Sequence, residues 1–173
     1  MIVNSKWYQE DMRQAANEAA RLYDVARRRA WLGRLSSALT GRSPRLMPLS
    51  AIQAAGQVRG SHYAGTRAVP LDQIRGSEGR SDEFDRNFQP LQTRTRDRWL
   101  SIALAHALGK SLAPVELVQV GEIYFVRDGH HRISVAKALG QTHIDAQVTV
   151  YTVEKHLANA SPMEDVAREP IHG

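Results

Sequence analysis

The chain of 173 residues contains no cysteine, so disulfide bonds, thiolate zinc sites and a cysteine nucleophile are excluded. It lacks an apolar run of about 20 residues, the length that a transmembrane helix requires. Its first residues also lack the apolar segment of a secretory signal. Aromatic residues make up only 6% of the chain, and alanine and leucine supply most of its apolar content. Together these features predict a helix-rich cytoplasmic protein without a transmembrane segment.

Positive charge is concentrated in one part of the chain. Between residues 21 and 45, seven arginines stand against one acid, Asp24, whereas the whole chain has a net charge of +5. A localised cationic stretch favours an anionic partner. A nucleic acid is one such partner. The alternatives are an anionic membrane face, or packing of this stretch as a helix on its own domain. The candidate nucleic-acid-binding residues are Arg27, Arg28, Arg29 and Arg34.

The hydrophobic pattern divides the chain into four parts. Apolar residues recur every three or four positions over 1–40, which predicts a basic helical extension. Residues 41–68 show little periodicity and are interpreted as a linker or loop. Residues 69–150 carry both strand and helix patterns and form the predicted folded domain, and 151–173 are expected to hold a last helix and a tail. The predicted fold class is α+β, a small mixed sheet flanked by helices with an N-terminal helical extension.

Within the predicted domain, alternating apolar residues indicate strands and glycine or proline marks their ends. A glycine-punctuated turn is expected over 75–80, and the two strands on either side of Gly121-Glu122 are expected to form a hairpin. The predicted strands are 69–74, 114–120, 123–126 and 144–150, and the predicted helices are 81–88, 97–108, 131–139 and 152–160.

The turn from Asp128 to Arg132 is the strongest candidate for a functional site. It joins a strand to the start of a helix, where unpaired N–H groups and the positive end of the helix dipole favour an anion such as phosphate. Gly129 permits a sharp turn and a close approach to a ligand. Arg132 can grip phosphate oxygens in a bidentate manner, and His130 and His131 can donate hydrogen bonds with a charge that is adjustable near neutral pH.

Asp128 is the unusual member of this turn, because a carboxylate next to a phosphate is repulsive unless something offsets it. Three roles remain open for it: a ligand to Mg²⁺ that bridges the phosphates, a general base, or a helix cap. Asp128 and His130 are the candidate catalytic residues. A zinc site is not expected, since adjacent histidines point in different directions and no further ligand follows at helical spacing.

The run from Ala113 to Gly140 resembles the ParB/sulfiredoxin superfamily, in an Asp-Gly-His-His-Arg variant that is closer to its kinase-like and uncharacterised branches. The superfamily also includes nuclease-like members. Residues 142–148 resemble the next strand of that family, and 80–88 its upstream box. The resemblance implies a nucleotide (ATP, ADP or CTP) with Mg²⁺. The residues that it implies for phosphate binding are Gly129, His130, His131, Arg132, Ser134 and Arg80. The missing cysteine argues against sulfiredoxin activity, and Gly-His-His-Arg in place of Gly-Glu-Arg-Arg argues against a partition clamp.

Three functions therefore stay open at this point. The leading hypothesis is a ParB-like domain that binds a nucleotide phosphate at 128–132, with phosphotransfer or hydrolysis as its chemistry. The second is a non-catalytic, DNA-associated regulatory protein that uses its basic helical extension, and the third is a nuclease-like activity. A homodimer is among the partners considered.

Overall fold

The computed structural model describes residues 5–41, 43, 45–54, 58–80 and 82–153. Four α-helices, a short 3-10 helix and six strands lie in these residues. The helices are α1 (Ser5–Thr40), α2 (Leu49–Ala54), the 3-10 turn (Thr93–Thr95), α3 (Arg96–Ala107) and α4 (His130–Ala138); the strands are β1 (Met47–Pro48), β2 (Val58–Pro70), β3 (Ile74–Ser77), β4 (Val115–Val120), β5 (Ile123–Asp128) and β6 (His143–Val153). None of the helices described is both long and apolar enough to cross a membrane.

The six strands form one mixed sheet in the order β1-β3-β5-β4-β6-β2. The β4–β5 hairpin lies at its centre and is antiparallel, with Gly121 in its turn at a φ of 57°. β6 runs parallel to β4 on one side, and β3 runs parallel to β5 on the other. β2 pairs antiparallel with β6 and forms one edge. The mixed sheet with flanking helices confirms the predicted α+β class.

The two faces of the sheet are both covered, because alternate residues of the central hairpin point to opposite sides. On one face, Leu117 and Val126 pack with Ile133 of α4 and with Phe84 and Phe88. On the other face, Val118 and Phe125 pack with Leu49 of α2. The helix α4 is thereby fixed against the centre of the sheet.

The helical extension packs on the domain along its alanine-rich face. Ala19, Tyr23 and Ala26 of α1 are buried in one cluster with Trp99 of α3 and Val135 of α4. Small alanine side chains allow close approach of the helices, and the Tyr23 and Trp99 rings meet edge to face at 5.4 Å. The helix is continuous over 36 residues and passes through Gly33 without a break.

The prediction of an unstructured segment over 41–68 is wrong in its local structure. This segment contains β1, α2 and most of β2. The signal was missed because β2 is an edge strand whose residues are mostly exposed, with Val69 its one fully buried side chain. Its order comes from pairing with β6 through the backbone, which leaves no hydrophobic alternation in the sequence.

Two further local predictions are wrong. The expected turn over 75–80 overlaps β3, which extends to Ser77. The expected helix over 81–88 is instead a turn, in which the Asp85 carboxylate accepts hydrogen bonds from the N–H groups of Asn87 and Gln89 at 2.8 Å each. These local bonds offer the backbone an alternative to a helix. They also bring the apolar side chains of the turn into the core.

The predicted strand over 69–74 is also wrong: β2 ends at Pro70, residues 71–73 form a turn, and β3 begins at Ile74. The predictions that remain hold, with shifts at the element ends. The hairpin strands, α3 and α4 lie where they were expected. β6 is longer than the predicted 144–150, and it includes Thr152 and Val153, which were assigned to the last helix. The rest of that predicted helix lies outside the described residues.

The packing around Gly76 leaves no space for a side chain. A Cβ atom there would lie 2.3 Å from Phe125 Cδ1 and 2.4 Å from the Met47 carbonyl oxygen, whereas a Cβ at Gly60 would meet nothing within 4 Å. We expect Gly76→Ala to lower the free energy of unfolding by about 2 kcal/mol or more, the cost of overpacking. Gly60→Ala, also in a strand, should be neutral or slightly stabilising. Urea unfolding of both variants is the measurement, and equal stabilities would contradict the explanation.

Candidate functional site

The turn between β5 and α4 is shaped by one glycine. Gly129 has a φ of 99°, in the left-handed region, and a Cβ atom there would lie 2.5 Å from Val115 Cγ1. The turn therefore sits directly on the first residue of β4. Asp128 ends β5 on one side of it, and His130 begins α4 on the other.

The start of α4 presents unpaired backbone donors. Its first helical hydrogen bond runs from the Ile133 N–H to the Gly129 carbonyl at 3.0 Å. The three N–H groups before it, at 130–132, have no acceptor within the helix. Gly129 makes no side-chain cap. These N–H groups and the positive end of the helix dipole make the turn suitable for an anion.

Two arginines from other elements border the same small cleft. Arg80 follows β3, and Arg98 projects from α3; both are exposed. Arg80 forms an ion pair with Glu83 at 3.3 Å. The enclosed part of the cleft is about 20 Å³, so it fits one small group such as a phosphate oxygen and not a whole nucleotide. The cleft is lined by Arg80, Arg98, Ile102, Asp128, Gly129, His130, His131 and Arg132.

Sequence reasoning identified Arg80 and missed Arg98. Arg98 lies about 30 residues before the turn, next to Trp99, whose side chain is fully buried. No signal in the sequence marks Arg98, since only the packing of α3 beside α4 brings its side chain to the cleft.

His130 holds the turn to the neighbouring strand. Its Nε2 lies 2.7 Å from the Ser77 hydroxyl in a buried hydrogen bond, and its ring stacks on Phe84. The same hydroxyl accepts hydrogen bonds from the N–H groups of Gly79 and Arg80. Burial, followed by the charge of Arg80, lowers the pKa of His130 to about 4. The expectation that its charge is adjustable near neutral pH is therefore wrong: the ring is neutral there.

His131 has a different environment although it is the next residue. It is 5% exposed, its ring meets Phe84 edge to face, and its Nε2 is buried without a hydrogen-bond partner among the described residues. Burial lowers the pKa of His131, and the charge of Arg98 acts in the same direction. A buried nitrogen without a partner costs free energy, so it favours a ligand that supplies one.

Arg132 is engaged by the protein itself. Its guanidinium donates to the carbonyl oxygens of Ala113 and Pro114 at 2.6 and 2.8 Å, and it pairs with the Asp128 carboxylate at 2.5 Å. These contacts tie the first turn of α4 to the start of β4. The bidentate phosphate grip expected of Arg132 would require it to leave these partners.

Asp128 is paired and partly exposed. Its carboxylate contacts Arg132, and 58% of its side chain is accessible. No hydrogen bond joins this carboxylate to the helix N–H groups described here, so the helix-cap role is not observed. Within the described residues no group of three or more His, Asp or Glu side chains could hold a metal ion. A Mg²⁺ ion at Asp128 would therefore depend on phosphate oxygens for its other ligands.

Ser134 does not face the cleft. Its hydroxyl is buried and accepts a hydrogen bond from Trp99 Nε1 at 2.8 Å. It therefore joins α4 to α3, and the phosphate-binding role expected for it does not fit this position.

The arginines of α1 differ in whether they contact the domain. Arg27 donates to the backbone carbonyls of Pro90 and Leu91 at 3.2 and 2.7 Å, so it anchors the helix to the domain and is not free for nucleic acid. Arg28, Arg29 and Arg34 are exposed.

A second cleft adjoins the turn on the other side of Arg132. Its volume is about 310 Å³, which is within the range of small-molecule sites. Leu112 and Ile144 give it an apolar wall, and Lys110 and Asp145 lie at its polar rim. Arg132 is shared by both clefts.

Comparison with known proteins gives one distant structural similarity. No family model and no curated protein matches the chain. A crystal structure of sulfiredoxin from Arabidopsis thaliana is similar with a TM-score of 0.33 and 22% sequence identity, over 48% of this chain and 82% of that chain. A similarity this distant assigns no role to any residue, so the chemistry of the site depends on the contacts described above.

The buried, neutral His130 should make stability depend on pH. Above its ordinary pKa of 6.5 the ring is neutral in both states, and between 6.5 and about 4 only the unfolded chain takes up the proton. The free energy of unfolding should therefore fall as the pH is lowered through this window, by up to about 3 kcal/mol from this residue. His130→Asn should lose stability at neutral pH but show a weaker decline with acid. Urea unfolding across this window measures both slopes, and identical slopes would overturn the assignment.

Proposed function

We propose that the protein binds the terminal phosphate of a nucleotide at the amino end of α4. The supporting observation is that Arg80 and Arg98, from two separate elements, border the same cleft as the unpaired N–H groups of α4. Asp128 is the one acid lining this cleft, and its charge is offset by Arg132. An anion placed there meets two guanidinium groups and a helix N-terminus, each of which favours negative charge.

The unpartnered Nε2 of His131 also supports this proposal. A neutral imidazole can donate from one ring nitrogen, so a phosphate oxygen at the cleft would satisfy a nitrogen that is otherwise buried at a cost. His130 supports the site indirectly. Its hydrogen bond to Ser77 fixes the segment that begins with Arg80.

In this proposal the base and sugar of the nucleotide occupy the second cleft. The phosphate cleft holds about 20 Å³ and the adjoining cleft about 310 Å³, and Arg132 lies between them. A ligand that spans Arg132 would place an anionic end on α4 and a flat apolar part against Leu112 and Ile144. Nucleotides such as ATP, ADP and CTP have this division.

Arg98 provides the test of phosphate binding. Arg98→Gln removes a charge-assisted hydrogen bond, so we expect nucleotide affinity to fall by about tenfold or more. Arg96→Gln is the matched control, because Arg96 lies on the same helix but its guanidinium is over the Tyr23 ring. Isothermal titration calorimetry with ATP, ADP and CTP, with and without Mg²⁺, measures both variants.

Two results would contradict the proposal. One is the absence of binding by any of these nucleotides at millimolar concentration. The other is equal loss of affinity in the Arg96 and Arg98 variants, which would point to general surface charge. Inorganic pyrophosphate serves as a separate ligand, because it should bind at the cleft without using the neighbouring wall.

Phosphotransfer or hydrolysis at this site is a further proposal that depends on Asp128. Asp128→Asn removes the negative charge beside the phosphate, so nucleotide affinity measured without Mg²⁺ should stay equal or rise. If Asp128 acts as a Mg²⁺ ligand or general base, phosphate release by the wild-type protein should require Mg²⁺ and disappear in the variant. Phosphate release that persists in Asp128→Asn would remove Asp128 from the chemistry. Its absence in the wild-type protein with nucleotide bound would define a binding site without hydrolysis.

A further inference from the structure

The outer face of α1 carries large apolar side chains that no described element covers. Four of them lie close together near the end of the helix: Trp31, Leu32, Leu35 and Leu39 are 59%, 57%, 47% and 89% exposed. We call these four residues the α1 ridge. A cluster of exposed side chains of this size is a signal of interaction, whereas single exposed apolar residues are ordinary.

The α1 ridge lies opposite the face that packs on the domain. Ala19, Ala26 and Ala30 are buried against the domain, and the ridge residues fall on the other side at 3.6 residues per turn. The helix is therefore apolar on two sides. Packing within the described fold explains only one of them.

Positive charge lies next to the α1 ridge on its amino-terminal side. Arg28 and Arg21 lie on the same side of α1, about two and four turns before the centre of the ridge, and Arg29 lies at its flank; all three are exposed. The exposed Asp24 lies between Arg21 and Arg28 on this side and offsets one of these charges. Apolar side chains including a tryptophan, preceded by arginines on the same helix face, match a helix that lies in the interface of an anionic bilayer. The apolar groups enter the boundary of the acyl chains, and the arginines extend to the phosphate groups.

We propose that the α1 ridge docks this protein on an anionic lipid surface. A second copy of the chain packed in parallel fits less well, because that contact would place Arg28 and Arg29 of both copies close together. A nucleic acid would contact the arginines but leave the four apolar side chains in water. This proposal is independent of the phosphate site, since Arg80 and Arg98 lie on other elements.

Vesicle binding of the full chain tests the proposal. The probes are vesicles of phosphatidylcholine alone and vesicles with about one third phosphatidylglycerol. We expect binding to the anionic vesicles, with a blue shift of Trp31 emission that is absent in Trp31→Phe. In Leu32→Ala/Leu35→Ala the binding should weaken by about tenfold or more. Tyr8→Ala is the matched control, since Tyr8 is an equally exposed residue of the same helix outside the ridge.

Each alternative gives a distinct result that would overturn the proposal. Absence of binding to anionic vesicles does so directly. Binding that is unchanged in the double leucine variant shows adsorption by charge alone. Trp31 emission that acrylamide does not quench in the absence of lipid would show that the α1 ridge is already covered. If this shielding depends on protein concentration and light scattering gives a larger mass, the cover is a second copy of the chain. Arg98→Gln should bind vesicles as the wild type does, so failure of the phosphate site leaves this test unaffected.

Discussion

The close contact between Gly129 and Val115 is the constraint on which the site depends. A side chain at residue 129 would collide with β4, and its backbone angle is one that other residues avoid. With only hydrogen at this position, α4 starts directly at the end of β5 and over the edge of β4. The N–H groups at its start then face outward between β3 and α3. Arg132 fixes this arrangement by donating to two carbonyl oxygens just before β4.

Adjacent residues acquire different roles once the helices are packed. His130 is bound to Ser77 and maintains the position of the segment that leads to Arg80, whereas His131 has a buried nitrogen with no partner. The same division occurs in α1, where Arg27 binds backbone carbonyls of the domain and Arg28 is exposed. In both pairs the helix turns the second side chain by about 100° from the first, so identical residue types meet unrelated surroundings.

The fold and the candidate site differ in how far the sequence predicted them. The hairpin, α3 and α4 were predicted because their apolar periodicity is strong and glycines mark their ends, as at Gly121. β2 was not, because it is an exposed edge strand ordered by backbone pairing with β6. The turn around Asp85 resembles a helix start in sequence, yet the aspartate uses its carboxylate to bond N–H groups two and four residues later. Such competition between side chain and helix cannot be resolved from residue types alone.

The sequence by itself determined the local structure of the turn 128–132, because an aspartate, a glycine and a helix start in succession restrict the backbone locally. It also determined the α+β class and the concentration of arginine in α1. The tertiary structure alone decided that Arg98 joins the cleft, that Ser134 does not, and that Arg132 is held by backbone carbonyls. These facts involve residues that are distant in the chain, and their proximity follows from which faces of α3, α4 and β4 are buried together.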